Sequence, residues 1–367
     1  MDMLTARWRM LGDPVADAAV AAARMDSMTG AALHRLARGE PLPPHPSRPI
    51  AEFAAQVTAP PRWADPDRLL RGSTAYLSFG PTWIQLILGA GSLVDTYRAP
   101  GIAHALTRSG RLLTMARRRI EETGHWISSA VLPGALAPGQ PGRVATVQVR
   151  LLHARMRARL LDEGWDSSRY GTPINQLDLA RTLLDFALVP VTALHAFGIG
   201  LRAEEQADVL HLWSTIGQLL GVATELLPFT VDRARRLSTT LEEALPTPGP
   251  ESRALVDALT AVYVDYLPSL LHVSPQVARE LMVALIRRVH GDVHADQLGV
   301  ARAAGWTGPA LATVVLGNRI IRGARRAIPR GIPRTASRTA AVLAEQSAAL
   351  HGTPLYRNVE SRHPVTS

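Results

Sequence analysis

The chain has neither cysteine nor lysine, so all 40 of its basic residues are arginine. Lacking cysteine, it can form no disulfide, no thiolate nucleophile and no thiolate-bound zinc or iron. Lacking lysine, it has no Schiff base, no pyridoxal-phosphate linkage and no P-loop. Any metal must therefore be held by His, Met, Tyr or carboxylates. Aromatic residues are also scarce, at 5%. That weighs against a nucleic-acid binder in spite of the net charge of +9. The arginines run the whole length of the chain, with no basic strand interleaved by aromatics and no zinc finger. There is no HExxH, the serines lack an elbow context, and "GAGSLV" at 89–94 lacks the third glycine of a nucleotide loop.

The longest charge-free run, Gly72 to Val94, is long enough to span a bilayer. Gly80, Pro81, Gly89 and Gly91 interrupt it, so a buried core helix broken near Pro81 is expected instead. Arg7 and Arg9 are followed by Asp13 and Asp17, which break the apolar stretch a secretory leader needs. The expectation is a cytoplasmic protein without stable membrane insertion.

What is present is a globular composition, 47% hydrophobic and 19% charged over 367 residues. Apolar residues recur at helical spacing almost throughout, with little strand-like alternation. This predicts an all-α chain, one compact multi-helix bundle, with residues 1–50 as an N-terminal arm and 330–367 as a C-terminal tail. Thr172 with Pro173 reads as the start of a helix that Pro190 should kink. Glu204 and Glu205 open the next helix, and Gly221 closes it.

Two constellations could carry chemistry. In "RVATVQVRLLHARMRARLL", Val149, His153, Met156 and Leu160 share one helical stripe, with Arg150 and Arg157 beside it. An imidazole on an apolar wall bordered by guanidinium groups suits haem b: the iron takes the histidine and the propionates take the cations. The alternative is a core histidine bonded to a carbonyl and two solvated arginines. In "RLLTMARRRIEETGHW", Arg119 and Thr123 lie on the stripe with Leu112, Met115 and Trp126, and Glu122 lies at its edge. A buried arginine needs a partner or an anion. The alternative is a packed Arg119 stem and a surface pair, Arg118 with Glu122. His290 and His294 flank a "GD" turn without a third metal ligand, and His195 and His211 read as packing or surface residues.

Several stretches, in order, resemble the MpaB/latex-clearing rubber oxygenase family. They are "LGDPVADA", the R-x-x-x-T pair Arg119 and Thr123, "VRLLHARMR" with His153, "WDSSRYGTPINQLDLARTLLDF" and "HLWSTIGQLLGV". Order and spacing carry the resemblance, over roughly residues 10–230. It implies haem b in a buried pocket, His153 as the proximal iron ligand, and Arg119 and Thr123 close to the haem. Arg150, Arg157 and Phe186 are the further cofactor contacts expected. Leu183, Pro190, Phe197 and Trp126 are expected beside Phe186 as pocket walls. In the best-known rubber oxygenase a lysine precedes that threonine and can occupy the distal iron position. Here the residue is Glu122, which implies an open distal side with a carboxylate able to accept or relay a proton. No residue clearly matches the family's distal base; Asp95 and His104 are the candidates.

The resemblance thus implies a haem-dependent oxygenase using O₂ on an apolar, alkene-bearing intracellular substrate. Two alternatives are a non-catalytic haem- or lipid-binding helical protein and a membrane-associated MpaB-like oxygenase.

Overall fold

Short polar side chains followed by proline set three of the helix starts. Asp13 caps Pro14–Met25, Asp65 caps Pro66–Leu77 and Ser274 caps Pro275–Gln297, each accepting from a backbone N–H of the first turn. The computed structural model describes residues 3–108 and 112–349, and the side chains of 5–108 and 116–346. Among these, every regular element is helical. The protein is all-α.

Two helices form the centre. Gln176–Ala196 and Ala203–Leu219 are buried along most of their length, and Trp213 is fully enclosed. Pro66–Leu77 crosses Ala203–Leu219 closely, because Gly72 lies against the Asp208 carbonyl, where a Cβ has no room. The first of the central helices starts later than expected. Thr172 does not cap it; Asn175 does, its side chain accepting from Leu177 N and Asp178 N, and the helix runs through Pro190 to Ala196.

The charge-free segment is folded into the core. Pro66–Leu77 and the run Pro81–Tyr97 meet at 86°, with Gly80 at φ 92° in the break. Helix Pro81–Ile87 then loosens into a π turn, Leu88–Leu93, whose six residues are all buried. Its displaced backbone is covered from outside the helix. Tyr263 OH donates to Gln85 O at 3.0 Å, and the His290 ring nitrogen Nε2 lies 3.0 Å from Ala90 O. His290 is therefore a packing donor, and among the described residues no group of three or more His, Asp or Glu could hold a metal. Helix Pro250–Leu271 is long and apolar enough to cross a membrane by composition; it packs against Pro275–Gln297 and Leu112–Ala130.

The two ends of the chain are more integrated than an arm and a tail. Helices Pro14–Met25, Ser27–Ala37 and Arg48–Val57 enclose a second apolar cluster around Phe53, Leu33 and Ile50. That cluster is completed by Val147, Leu151 and Ala154 of helix Pro141–Asp162. At the other end, helix Gly331–Ala349 buries Ala336 and Leu343 in the main core. The rest of the expected tail, 350–367, lies outside the described residues, as do the side chains of Leu112 and Met115.

Candidate active site

Helix Pro141–Asp162 is the partition on which the site is built. At roughly 100° per residue, Arg150 and Arg157 fall on one side of His153, and Val149, Leu152 and Met156 fall on the other. The two sides meet different surroundings. The apolar side closes a cavity of about 370 Å³ whose far walls include Leu183, Phe186, Trp126 and Trp213. Phe186 stacks on Trp213 at 6.0 Å and 16°, and meets the edge of Trp126 at 6.2 Å and 87°. Trp126 spends its one polar atom on Thr146 Oγ1, 3.1 Å away, so its ring presents no unsatisfied donor.

The arginine side faces the N-terminal helices. Arg150 Nε and Nη2 donate to the two oxygens of Asp13 at 2.6 and 2.9 Å, and Nη2 also reaches Gln56 at 2.7 Å. Arg157 pairs with Asp17 and donates to the carbonyls of Pro173 and Ile174 at 3.0 and 2.8 Å. Both guanidinium groups are engaged away from the cavity, so neither is the pocket cation that its position beside His153 suggested. The close approach depends on glycine: a Cβ on Gly221, at φ 84°, would run into Asp13 and Arg150, and one on Gly12 into Arg157. "LGDPVADA" is thus the clamp that holds the His153 helix from behind.

His153 lines the cavity, and its Nδ1 is buried without a hydrogen-bond partner. Burial holds the imidazole pKa down to about 4; the Arg157 charge adds to this, and Asp13 opposes it. The ring is neutral at physiological pH, the state in which a ring nitrogen has a lone pair to donate.

Across the cavity, helix Leu112–Ala130 brings Arg119, Glu122 and Thr123 together on its wall, with Arg118 beside them. Arg119 donates to Leu106 O at 2.9 Å, and Arg118 to Glu122 at 2.7 Å. Burial pushes the Glu122 carboxyl above its ordinary value, against the pull of Arg118 and Arg119.

Neither candidate for a distal base reaches the cavity. Asp95 is tied to Arg98 at 2.8 Å and Arg181 at 3.2 Å, and these cations hold it down to about 2 despite its burial. His104 pairs with Glu251 at 2.8 Å and stacks on Tyr170 at 4.5 Å. Pro190 and Phe197 also stand away from it, Phe197 stacking near Trp83. Besides Glu122 and Glu163, the acid that lines the cavity is Asp178, in the first turn of Gln176–Ala196. Burial pushes its carboxyl up to about 7, against hydrogen bonding from Asn175 and the charges of Arg181, Arg9 and Arg157. Its sequence position reads simply as a helix-starting acid. Arg159 was missed too: with Glu163, 2.7 Å away, it marks a solvent-open rim of the cavity.

A family model described as the catalytic domain of ER-bound oxygenase mpaB/B′ and rubber oxygenase matches residues 80–327. Among characterised proteins, ER-bound oxygenase mpaB′ of Penicillium brevicompactum is 27% identical over 217 residues, 56% of this chain and 48% of that protein. ER-bound oxygenase mpaB of Penicillium roqueforti (strain FM164) is 25% identical over 216 residues, 55% of this chain and 67% of its own. The match to the first relative spans about half of that protein's length. A solved structure of latex clearing protein in the closed state superposes with a TM-score of 0.70 over 93% of this chain and 91% of the other, at 22% identity. That likeness shows the fold.

Proposed function

Because this chain belongs to the MpaB/rubber oxygenase catalytic-domain family, we propose that it is a haem-b-dependent oxygenase acting on an apolar, alkene-bearing small molecule. The observation that carries the reading is the buried imidazole of His153, unpartnered at Nδ1 and neutral, on the wall of an apolar cavity. The cavity is within the usual range for cofactor and ligand sites, roughly 300–1,000 Å³. Haem b asks for an axial ligand, apolar walls and cations at its edge. His153 fits the first and Phe186, Leu183 and Trp126 the second. Arg118, Arg119 and Arg159 fit the third, in place of Arg150 and Arg157. When bound, haem supplies the oxygen chemistry that no side chain here can perform. The protein's own part is then binding, orientation and proton control. His153 would hold the iron, Arg119 and Thr123 would offer donors to polar atoms of the substrate, and the aromatic wall would exclude water. Asp178, pushed up to about 7 by burial, can hold a proton near neutral pH and pass it on, and burial pushes the Glu122 carboxyl in the same direction.

The test is the absorption spectrum of the purified protein, before and after reconstitution with haem. A Soret band with one haem per chain is expected, and His153→Ala should give folded protein that retains almost none. A wild-type protein that stays colourless after reconstitution, or full occupancy in His153→Ala, would overturn the assignment. Oxygen uptake driven by an alkene then separates an oxygenase from a passive haem binder.

A further inference from the structure

We propose that helix Thr307–Ala327 is a docking surface for an anionic phospholipid bilayer. Its inner row, Thr307, Leu311, Val315 and Arg322, is buried and fastens it to the body of the protein. Arg322 donates to Ser78 O and Oγ at 3.1 and 2.9 Å, Asn318 to Phe197 O at 2.8 Å, and Arg326 to Glu205 at 2.7 Å. The outer face carries large apolar side chains in solvent: Trp306, Val314, Leu316, Ile320, Ile321 and Ile328 are 42–64% exposed. On a helical projection the four inside the helix, Val314, Leu316, Ile320 and Ile321, occupy roughly 160° of arc, and Trp306 and Ile328 flank its two ends. Single exposed apolar residues need no explanation, but a contiguous face of this kind marks an interaction site.

The charge pattern selects the partner. Residues 306–330 contain no Asp or Glu, and Glu345 is the one acid between 301 and 346. Arg319, Arg330, Arg334 and Arg338 are exposed. Among the described residues, none of these four makes an ion pair. An apolar helix face bordered by cations is the pattern that lies in the headgroup region of an anionic membrane, with its side chains in the acyl boundary. A second copy of the chain fits worse: two-fold pairing through this face would set the same arginines against one another. A nucleic-acid backbone would satisfy the arginines and leave the apolar face in water.

The surface is also remote from the cavity. It packs at the Phe197 end of helix Gln176–Ala196, whereas the cavity-lining residues of that helix stop at Phe186. At 1.5 Å per residue the two are about 16 Å apart along the helix. The proposal therefore stands or falls independently of the haem reading.

The experiment is flotation of the full-length protein with phosphatidylcholine vesicles made with and without phosphatidylglycerol. Flotation with the anionic vesicles alone, weakened by salt, is expected. Arg319→Gln and Arg334→Gln should each lower the partition coefficient about fivefold. Leu316→Glu with Ile320→Glu should lower it at least tenfold with an unchanged melting temperature, because neither side chain is buried. The proposal fails if the protein ignores anionic vesicles, binds neutral ones equally well, or binds both regardless of the double substitution. It also fails if the apolar face instead holds a dimer, seen as a mass halved by Leu316→Glu, or if duplex DNA alone is bound.

Discussion

The clamp behind His153 can be broken at one atom. Asp13→Asn keeps a side chain able to cap helix Pro14–Met25, since Asn and Asp cap about equally well. It removes the negative charge facing Arg150, whose side chain is 3% exposed. Removing one partner of a buried ion pair costs about 3–5 kcal/mol, because the remaining charge is left uncompensated. Asn still offers one oxygen, so the lower end, about 3 kcal/mol, applies. For 367 residues, an unfolding entropy of 2.1 cal/mol/K per residue totals roughly 0.8 kcal/mol/K. The melting temperature should therefore fall by about 4 °C. Asp13→Asn combined with Arg150→Met removes the stranded charge and should recover most of that loss, because apolar replacement of a buried pair is often neutral. Thermal unfolding followed by circular dichroism reads both. A single variant within about 1 °C of the parent, or a double variant no better than the single, would refute the idea that this pair holds the helix.

Other consequences follow from the cavity. Glu122→Gln should leave haem occupancy intact and lower alkene turnover by roughly 100-fold; unchanged turnover would leave Glu122 as no more than a partner of Arg118. His153 and Asp178 should act oppositely on stability in haem-free protein. The folded pKa of His153, about 4, lies below its unfolded value of 6.5, so its contribution is complete above pH 6.5 and is lost as pH falls toward 4. Asp178, at about 7 against 3.8, binds an extra proton when folded, so its contribution is lost as pH rises from about 4 to 7. Denaturant melts across pH 4–7 should show a flatter acid-side loss in His153→Gln and a flatter neutral-side loss in Asp178→Asn; matching profiles in the two variants would contradict the assignment.

The all-α class and most helix positions could be read from sequence because they follow from local spacing. So could the shared helix face of Arg119 and Thr123, which both line the cavity, and the place of His153 on an apolar stripe. The fate of Arg150 and Arg157 could not. Adjacency to His153 does not say which side of the helix meets solvent, cavity or another helix, and here Asp13 and Asp17 arrive from more than 130 residues away. Asp95 and His104 were misplaced for the same reason: their partners, Arg181 and Glu251, come from distant helices. The N-cap at Asn175 rather than Thr172 was a local miss, since both residue types cap well and Pro173 favoured the earlier start. Asp178 gave no signal beyond a helix-opening acid, because its chemistry comes from burial against remote walls.

The two sides of helix Pro141–Asp162 also explain how an arginine-rich chain keeps an apolar pocket. Two cations within one turn of His153 would, if unpaired, draw water and anions toward the ring. Each is instead matched by an aspartate on the far side: Arg150 by Asp13 and Arg157 by Asp17. Their effects on the imidazole then partly cancel, Arg157 lowering its pKa and Asp13 raising it, and burial remains the larger cause. The cations left to face the cavity are Arg118, Arg119 and Arg159, on its far wall and rim. An anionic edge of a planar cofactor could meet them there without drawing charge to the ring nitrogen that would bind its metal. Asp13→Asn should therefore lower the His153 pKa further and Arg157→Met should raise it, opposite shifts that histidine ring NMR titration in haem-free protein would resolve. If both variants shifted it the same way, the compensation described here would be absent.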